Sequence, residues 1–430
     1  MQQAMDQAGA ALAAQALRLT PAAAPLTGRV VLPGSKSITN RALLLAGLAH
    51  GTSHLTGALK SDDTQRMSEA LTAMGVTIAE PDATSFVVTG SGKLKAPAGP
   101  LFLGNAGTAT RFLTAAAALV EGTVVVDGDA HMRKRPILPL VEALASMGVA
   151  AEAPTGCPPV TVRGTGHIPA DSVSIDAGLS SQYLSALLMM APASGKPMRV
   201  VLAGDAIGAR GYVDLTLAAM AEFGAVATEV ERNVWQVAGG GYRATDCAIE
   251  PDASAATYLW AAAALTGGAI DLGMAAERFT QPDAQAHAII AQFPHMPASI
   301  HGAQMQDAVP TLAALAAFNT TPVRFTGIAN LRVKECDRVA AMASELSRVV
   351  PGLGVEAGDD LIVNGRPELA GHATTARIET YADHRIAMSM ALLGLRMPGL
   401  VILDPGCVAK TYPGYWQALA GLGVGIELLA

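Results

Sequence analysis

The chain has 430 residues, 51% hydrophobic, 15% charged and 4% aromatic, with a formal net charge of −7. That length is too great for one ordinary core and predicts two domains, and the acidic total excludes bulk attraction to nucleic acid, so any anion site must be a local cluster of cations. Cys157, Cys247, Cys336 and Cys407 form no CxxC pair, which argues against a disulfide framework or a zinc site and for a reducing, cytoplasmic setting.

Residues 1–25 are rich in alanine and glutamine and carry only Asp6 and Arg18 as charges. They read as a mostly mobile extension, not a signal or transit peptide, with a domain's first strand or strands also expected within 1–33. Then comes "LPGSKSITNRALLLAGLA" (32–49), a Gly-Ser turn, a lysine, small polar residues and an arginine ahead of an apolar run. Five later stretches repeat this plan. They are "GNAGTATRFLTAAAALVEGTVVVDG", "LSSQYLSALLMMAPASGKPMRVVLAG", "PDASAATYLWAAAALTGGAIDLG", "DAVPTLAALAAFNTTPVRFTGI" and "DHRIAMSMALLGLRMPGLVILDP". Each opens on small or polar residues, continues as an apolar helix, breaks, and ends in a β-rich run. The starts fall near Ser35, Asn105, Ser180, Asp252, Asp307 and Asp383, roughly 70 residues apart, as in a repeat architecture. The charge-free run Ala253–Ile270 belongs to this pattern and predicts a buried helix turning into a strand, not a membrane span.

A second helix recurs as "ALTAMGV", "ALASMGV", "AMAEFGA" and "ALAGLGV", which makes Gly75, Gly148, Gly224 and Gly423 candidate helix-closing residues with positive φ. The first helix of each unit, apolar nearly all round, should be buried on every side; the second should lie outside. Six such α/β units can close into two prisms of three units facing each other across a cleft. The expected domains are 34–249 and, as the second, 1–33 joined with 250–430.

A buried helix leaves about four N–H groups unsatisfied at its start, and with the dipole these make an anion site. Polar residues collect at such starts: Lys36 and Ser37, with Arg41 one turn on; Asn105, Gly107 and Thr108, with Arg111; Ser180, Ser181 and Gln182; Asp307; and Asp383-His384-Arg385. Further cations stand in "HMRKRP" (Arg133, Lys134, Arg135), "LRVKECDR" (Lys334, Arg338) and "VAKTYP" (Lys410). "GSKS" lacks the P-loop spacing. A single lysine or arginine at a helix end is ordinarily a solvated face; several at equivalent repeat positions imply a ligand with more than one anionic group, such as phosphate plus carboxylate. Carboxylates beside such cations are acid/base candidates. Asp307 is one, with a plain N-cap as the alternative; Glu335 is another, with simple pairing to Lys334 or Arg338 as the alternative. His384 has no second ligand at metal-binding spacing, so no metal is expected. Cys336 reads as a structural thiol.

"LPGSKSITNRALLLAGLA", "LFLGNAGTATRFL", "RPILPLVEAL", "SSQYLSALLM", "LRVKECDRVAAMASEL", "YADHRIAM" and "AKTYPGYW" together resemble the 5-enolpyruvylshikimate-3-phosphate synthase family, from about Leu17 to the C-terminus. The resemblance implies an inverse α/β prism fold of two domains, each of three βαβαββ units. It implies transfer of the enolpyruvyl group from phosphoenolpyruvate to the 5-hydroxyl of shikimate 3-phosphate on the route to chorismate, by a monomer without a metal or organic cofactor. Shikimate 3-phosphate would meet Ser37, Arg41, Ser180, Ser181, Gln182, Asp307, Asn330 and Lys334. Phosphoenolpyruvate would meet Lys36, Gly107, Arg135, Gln182, Arg338, Arg385 and Lys410. Asn105, Thr108 and Tyr212 complete the expected contacts. Asp307 would accept the hydroxyl proton and Glu335 would protonate the methylene carbon, with Lys36 or Lys410 supporting proton transfers. Such chemistry asks for cations of both domains to converge on closure, with water excluded.

Two departures from the family pattern involve three positions. Ala209 stands where a serine commonly binds the sugar phosphate, with Gly211 for a proline, and Phe112 follows Arg111 where proline is common. Phe112 leaves the response to glyphosate open, although Gly107, where a side chain would crowd that inhibitor, is kept. The nearest rival is the sister enolpyruvyl transferase acting on UDP-N-acetylglucosamine, whose catalytic loop carries a cysteine that "DGDAHMRKRP" lacks. A non-catalytic phosphate- or nucleic-acid-binding scaffold on the same repeats would not need Asp307 and Glu335.

Overall fold

The computed structural model describes residues 15–204 and 207–429. The chain separates into two units, one running to Pro33 and resuming at Asp252, the other spanning Gly34–Pro251. Each buries its own apolar core, one drawn from residues 42–249 and the other from 17–32 and 253–424.

In the unit 34–251, α1 (Lys36–Leu48) is followed by α2 (Asp62–Ala73), α3 (Gly107–Ala116) by α4 (Leu138–Ser146), and α5 (Ser181–Met190) by α6 (Gly211–Glu222). The βαβαββ plan is complete at Ser172–Ile175, α5, Met198–Leu202, α6, Ala227–Glu231 and Val234–Val237. Its first two strands pair in parallel through the α5 crossover, and the last two return as an antiparallel hairpin. Leu101–Phe102, Glu121–Asp127, Val160–Thr165 and Ala150–Glu152 repeat the order. In the first repeat, the parallel position beside Ala49–Thr56 is filled from the far end of the unit, by Tyr242–Arg243 and Cys247–Ala248. The three sheets thus enclose α1, α3 and α5. Every residue of α3 is buried, as is nearly every residue of α5; the polar side chains Thr110 and Arg111 of α3 are turned to the Ala106 and Pro136 carbonyls instead of water.

The other unit holds α7 (Ala253–Thr266), α8 (Ala286–Ile290), α9 (Val309–Ala316), α10 (Arg338–Val349), α11 (His384–Ala391) and α12 (Tyr415–Gly421). Two of its repeats carry four-stranded sheets. The fourth repeat of the chain is reduced: α7 leads to Ala269–Asp271, which pairs in parallel with Thr27–Arg29 as a two-stranded sheet, and short helical turns occupy 276–290. The expected N-terminal extension needs correction over its second half. Ala16–Thr20 is an inner strand between Val401–Leu403 and Gly425–Leu429, completing the sixth repeat. Leu17 and Leu19 are 0% exposed, so the Leu-x-Leu alternation fills the core. Residues 1–14 lie outside the described residues.

The caps follow the expected chemistry. Ser35, Ser180, Asp252 and Asp383 each accept a first-turn N–H with the side chain, worth ~1 kcal/mol apiece. The outer helices close on Gly75, Gly148, Gly224 and Gly423 at φ of +90°, +83°, +81° and +97°. The next residue in each case bonds back to the carbonyl of Leu71, Leu144, Met220 or Leu419, the six-to-one bond of a Schellman motif.

The repeats also share a close approach that the sequence pattern hides. A Cβ on Gly90, Gly164 or Gly365 would lie 2.3, 2.2 or 2.3 Å from a backbone carbonyl just after a buried helix. Gly164→Ala is therefore expected to cost about 1–3 kcal/mol by overpacking, seen as a lower urea midpoint at unchanged m.

Candidate active site

In the unit 34–251, the starts of α1, α3 and α5 gather the expected polar residues. Lys36, in the first turn of α1, has Nζ 3.6 Å from Asp63 Oδ2 at the start of α2. Arg41 is buried and points back along α1. It donates to the Ser37 carbonyl at 2.9 Å, to Thr216 Oγ1 at 2.8 Å and to the Tyr212 carbonyl at 3.0 Å. Burial without a carboxylate among those acceptors pushes its pKa down to about 10. Its guanidinium stands 5.2 Å from the centre of the buried Phe112 ring. Phe112 thus supplies an aromatic platform that a proline would not.

α3 begins without a side-chain cap on Ala106. Arg135 lies over Gly107, where an added Cβ would sit 2.7 Å from its guanidinium, and it donates to Asn105 Oδ1 at 3.0 Å. Gln182 Nε2 reaches Thr108 Oγ1 at 3.3 Å, linking α5 to α3. Ser180 caps α5, and Ser181 is buried in its first turn. Gly107→Ala should displace Arg135 and raise the KM for an anionic substrate by on the order of tenfold, with folding intact; initial-rate kinetics beside a thermal melt checks it.

The other unit holds an ion cluster. Arg338, 1% exposed, donates through Nη1 to Asp307 Oδ1 at 3.0 Å, through Nη2 to Glu335 Oε2 at 2.6 Å and through Nε to Asp383 Oδ2 at 2.7 Å. Arg385 Nη2 meets the other oxygen of Asp307 at 2.8 Å, and Lys410 Nζ meets Glu335 Oε1 at 2.8 Å. Three cations and three carboxylates balance, which makes their burial tolerable. Burial opposes the Arg338 charge, but Asp383, Glu335 and Asp307 outweigh it and hold the pKa above the ordinary arginine value. Asn330 is buried in the short helical turn 329–333, and Lys334 ends that turn.

The structure decides several open alternatives. Asp307 does not cap α9, whose N-cap is Ala308; its carboxylate is gripped by two arginines instead. Glu335 pairs with Arg338 as one alternative foresaw, and with Lys410 as neither did. Within "HMRKRP", Arg133 pairs with Asp127 at the surface and Lys134 is exposed, while Arg135 alone turns inward. Cys336 lies 3.5 Å from Asp383 Oδ2, and burial and that carboxylate push its thiol pKa up, away from nucleophile chemistry. Ala209, at φ +60° and buried, offers no hydroxyl; the neighbouring Arg210 pairs with Glu229. Sequence reasoning missed Asp63, Thr216 and the role of Asp383. Two consecutive acids after Ser61 were the signal for the first, and an acid directly before His384-Arg385 for the last; Thr216 has none. Among the described residues, no group of three or more His, Cys, Asp or Glu is placed to hold a metal ion, and no helix is long and apolar enough to cross a membrane.

Fold and side chains define a class: a repeat-built, two-domain α/β protein that collects cations and carboxylates at helix starts and neighbouring turns. Comparison with known proteins makes the class particular. The family model for EPSP synthase (3-phosphoshikimate 1-carboxyvinyltransferase) matches residues 21–304 and 285–419. A 3-phosphoshikimate 1-carboxyvinyltransferase of Rhizobium leguminosarum is 66% identical over 408 residues, covering 95% of this chain and 97% of that protein. One from Pseudomonas syringae is 65% identical over 411 residues, covering 96% and 98%. Among solved structures, EPSP synthase from Acinetobacter baumannii superposes with a TM-score of 0.77 at 26% identity, over 96% of this chain and 100% of that one. The enolpyruvyl transferase NikO of Streptomyces tendae shares the fold, with a TM-score of 0.71 at 17% identity over 96% and 99% of the chains. This chain belongs to the EPSP synthase family.

Proposed function

We propose that the chain transfers the enolpyruvyl group of phosphoenolpyruvate to the 5-hydroxyl of shikimate 3-phosphate and releases phosphate. Family membership supports the reaction. The observation that carries the assignment of roles is the Asp307 carboxylate held between Arg338 and Arg385, beside the Glu335–Lys410 pair. Arg338, Arg385, Lys410, Lys36 and Arg135 are the cations for phosphoenolpyruvate, with the Gly107 amide and Gln182. Ser37, Arg41, Ser180, Ser181, Gln182, Tyr212, Asn330 and Lys334 are the contacts for shikimate 3-phosphate, and Asn105 and Thr108 hold Arg135 and Gln182.

In the first step the 5-hydroxyl oxygen bonds to C2 of phosphoenolpyruvate. Asp307 takes the hydroxyl proton, and C3 gains a proton to become a methyl group. Both oxygens of Glu335 accept hydrogen bonds from cations. Of these two donors arginine does not give up its proton, so Lys410 is the one of the pair able to supply the proton that Glu335 delivers. In the second step Glu335 takes a proton back from the methyl group, the C2–O bond to phosphate breaks, and Lys36 protonates the departing phosphate. The cations stabilise charge that grows on the transferred phosphate, and fixed donors do this without reorganising. The four unpaired thiols fit a cytoplasmic enzyme.

Running the reaction in deuterium oxide tests this reading. The phosphorylated product should be an enolpyruvyl ether carrying deuterium in its vinyl group, because the transient methyl loses any one of three hydrogens. A product free of deuterium, or no ether at all, contradicts it.

A further inference from the structure

The chain entering α11 is strained, and something outside the reacting groups holds it. Tyr381 and Ala382 lie at φ of +55° and +51°, left-handed positions that two consecutive side-chain-bearing residues rarely share. Asp383 N–H closes the turn onto the Thr380 carbonyl at 2.8 Å. The next residues carry the site: Asp383 receives Arg338 and accepts the Arg385 N–H at 2.8 Å, and Arg385 reaches Asp307.

Glu345 faces this turn. It is seven residues beyond Arg338 on α10, so the two side chains share one face two turns apart. Its carboxylate is 0% exposed, yet it has no part in the reaction. Oε1 accepts the Tyr381 hydroxyl at 2.7 Å and Oε2 the Glu379 N–H at 3.0 Å. Arg348 closes the same carboxylate from the solvent side at 2.7 and 3.0 Å. One helix therefore grips the strand, turn and helix start at two points, with Arg338 on Asp383 and Glu345 on residues 379 and 381.

We propose that Glu345, acting through the Tyr381 hydroxyl, is a positioning residue: it holds the left-handed 380–383 turn and so sets Asp383 and Arg385 for phosphoenolpyruvate. This rests on the assignment of Arg385 to phosphoenolpyruvate made above. A fold-stabilising role alone would lower the melting temperature and leave the kinetic constants of the folded enzyme in place. A positioning role raises the phosphoenolpyruvate KM and leaves that of shikimate 3-phosphate.

The test uses the full chain, with initial rates for both substrates on Glu345→Gln, Tyr381→Phe and Arg385→Lys. Glu345→Gln should raise the phosphoenolpyruvate KM by on the order of tenfold, as for a misplaced binding group, with the shikimate 3-phosphate KM within twofold. Tyr381→Phe, which loses one hydrogen bond and keeps the ring, should move it a few-fold the same way, and it decides the matter should Glu345→Gln not fold. Adding Ala382→Gly to either variant should recover most of the loss, because a glycine holds the turn without a clamp. If Arg385→Lys raises the phosphoenolpyruvate KM while neither clamp variant does, the positioning role is overturned and the site assignment stands. If all three leave it unchanged, the site assignment falls and the proposal with it. An equal rise for both substrates in the clamp variants also overturns it.

Discussion

Asp307→Ala is expected to lower kcat by ~10²–10⁴-fold, the range for a lost general base, and to move the KM for shikimate 3-phosphate far less. The variant should fold. Arg338 keeps Glu335 and Asp383 as partners, and Arg385, which loses this carboxylate, keeps the Tyr258 hydroxyl and the backbone carbonyl of residue 307, so neither is left as a bare buried charge, the situation that costs about 3–5 kcal/mol. Asp307 caps no helix, so no cap energy is lost either. Asp307→Asn keeps the shape but only one of the two acceptors that Arg338 and Arg385 use, because its amide nitrogen donates, and it cannot take a proton. It should be nearly as slow as the alanine variant. An asparagine enzyme with close to parental kcat, or an alanine enzyme whose whole defect is in KM, would make Asp307 a ligand and not a base.

Lys36→Ala should reduce kcat/KM for phosphoenolpyruvate by ~10²–10³-fold, as when one donor to a developing charge is removed. Its stability should change little. A lysine in the first turn of a helix opposes the dipole, at a cost of about 0.3–1 kcal/mol, so removing it relieves as much as it loses. Asp63, its 3.6 Å partner, sits in the first turn of α2, where a carboxylate is favoured. A cation kept at a position that disfavours it is the mark of a functional residue. Parental kcat/KM in the folded variant would remove Lys36 from the mechanism.

These residues were legible because the chemistry of a buried helix start is local. Ser35, Ser180, Asp252 and Asp383 stand before apolar runs and cap them, and the glycine that closes α2, α4, α6 and α12 is the residue at ease with the required φ. Contacts made across the fold left no such trace. Thr216, which accepts from Arg41, is one threonine inside an apolar helix. The left-handed pair Tyr381–Ala382 contains no glycine to announce it, and its stabiliser Glu345 is far off on another helix. The fourth repeat looked whole because its first helix and strand are, while the hairpin that its relatives carry is replaced by short turns. A strand is expected within 1–33, but Ala16–Thr20 has no bounds in the sequence, because five residues of strand say little until their neighbours, hundreds of residues away, are in place. Phe112 stood out as a departure, but its place under the Arg41 guanidinium is a contact between two helices that the sequence does not announce.

The most direct measurement is phosphate release by the purified full chain, with phosphoenolpyruvate and shikimate 3-phosphate supplied together, each alone, and phosphoenolpyruvate paired with UDP-N-acetylglucosamine. The account predicts release only with the first pair, matched mole for mole by the enolpyruvyl ether. Release from phosphoenolpyruvate alone, equal release with the sugar nucleotide, or none from the first pair would contradict it.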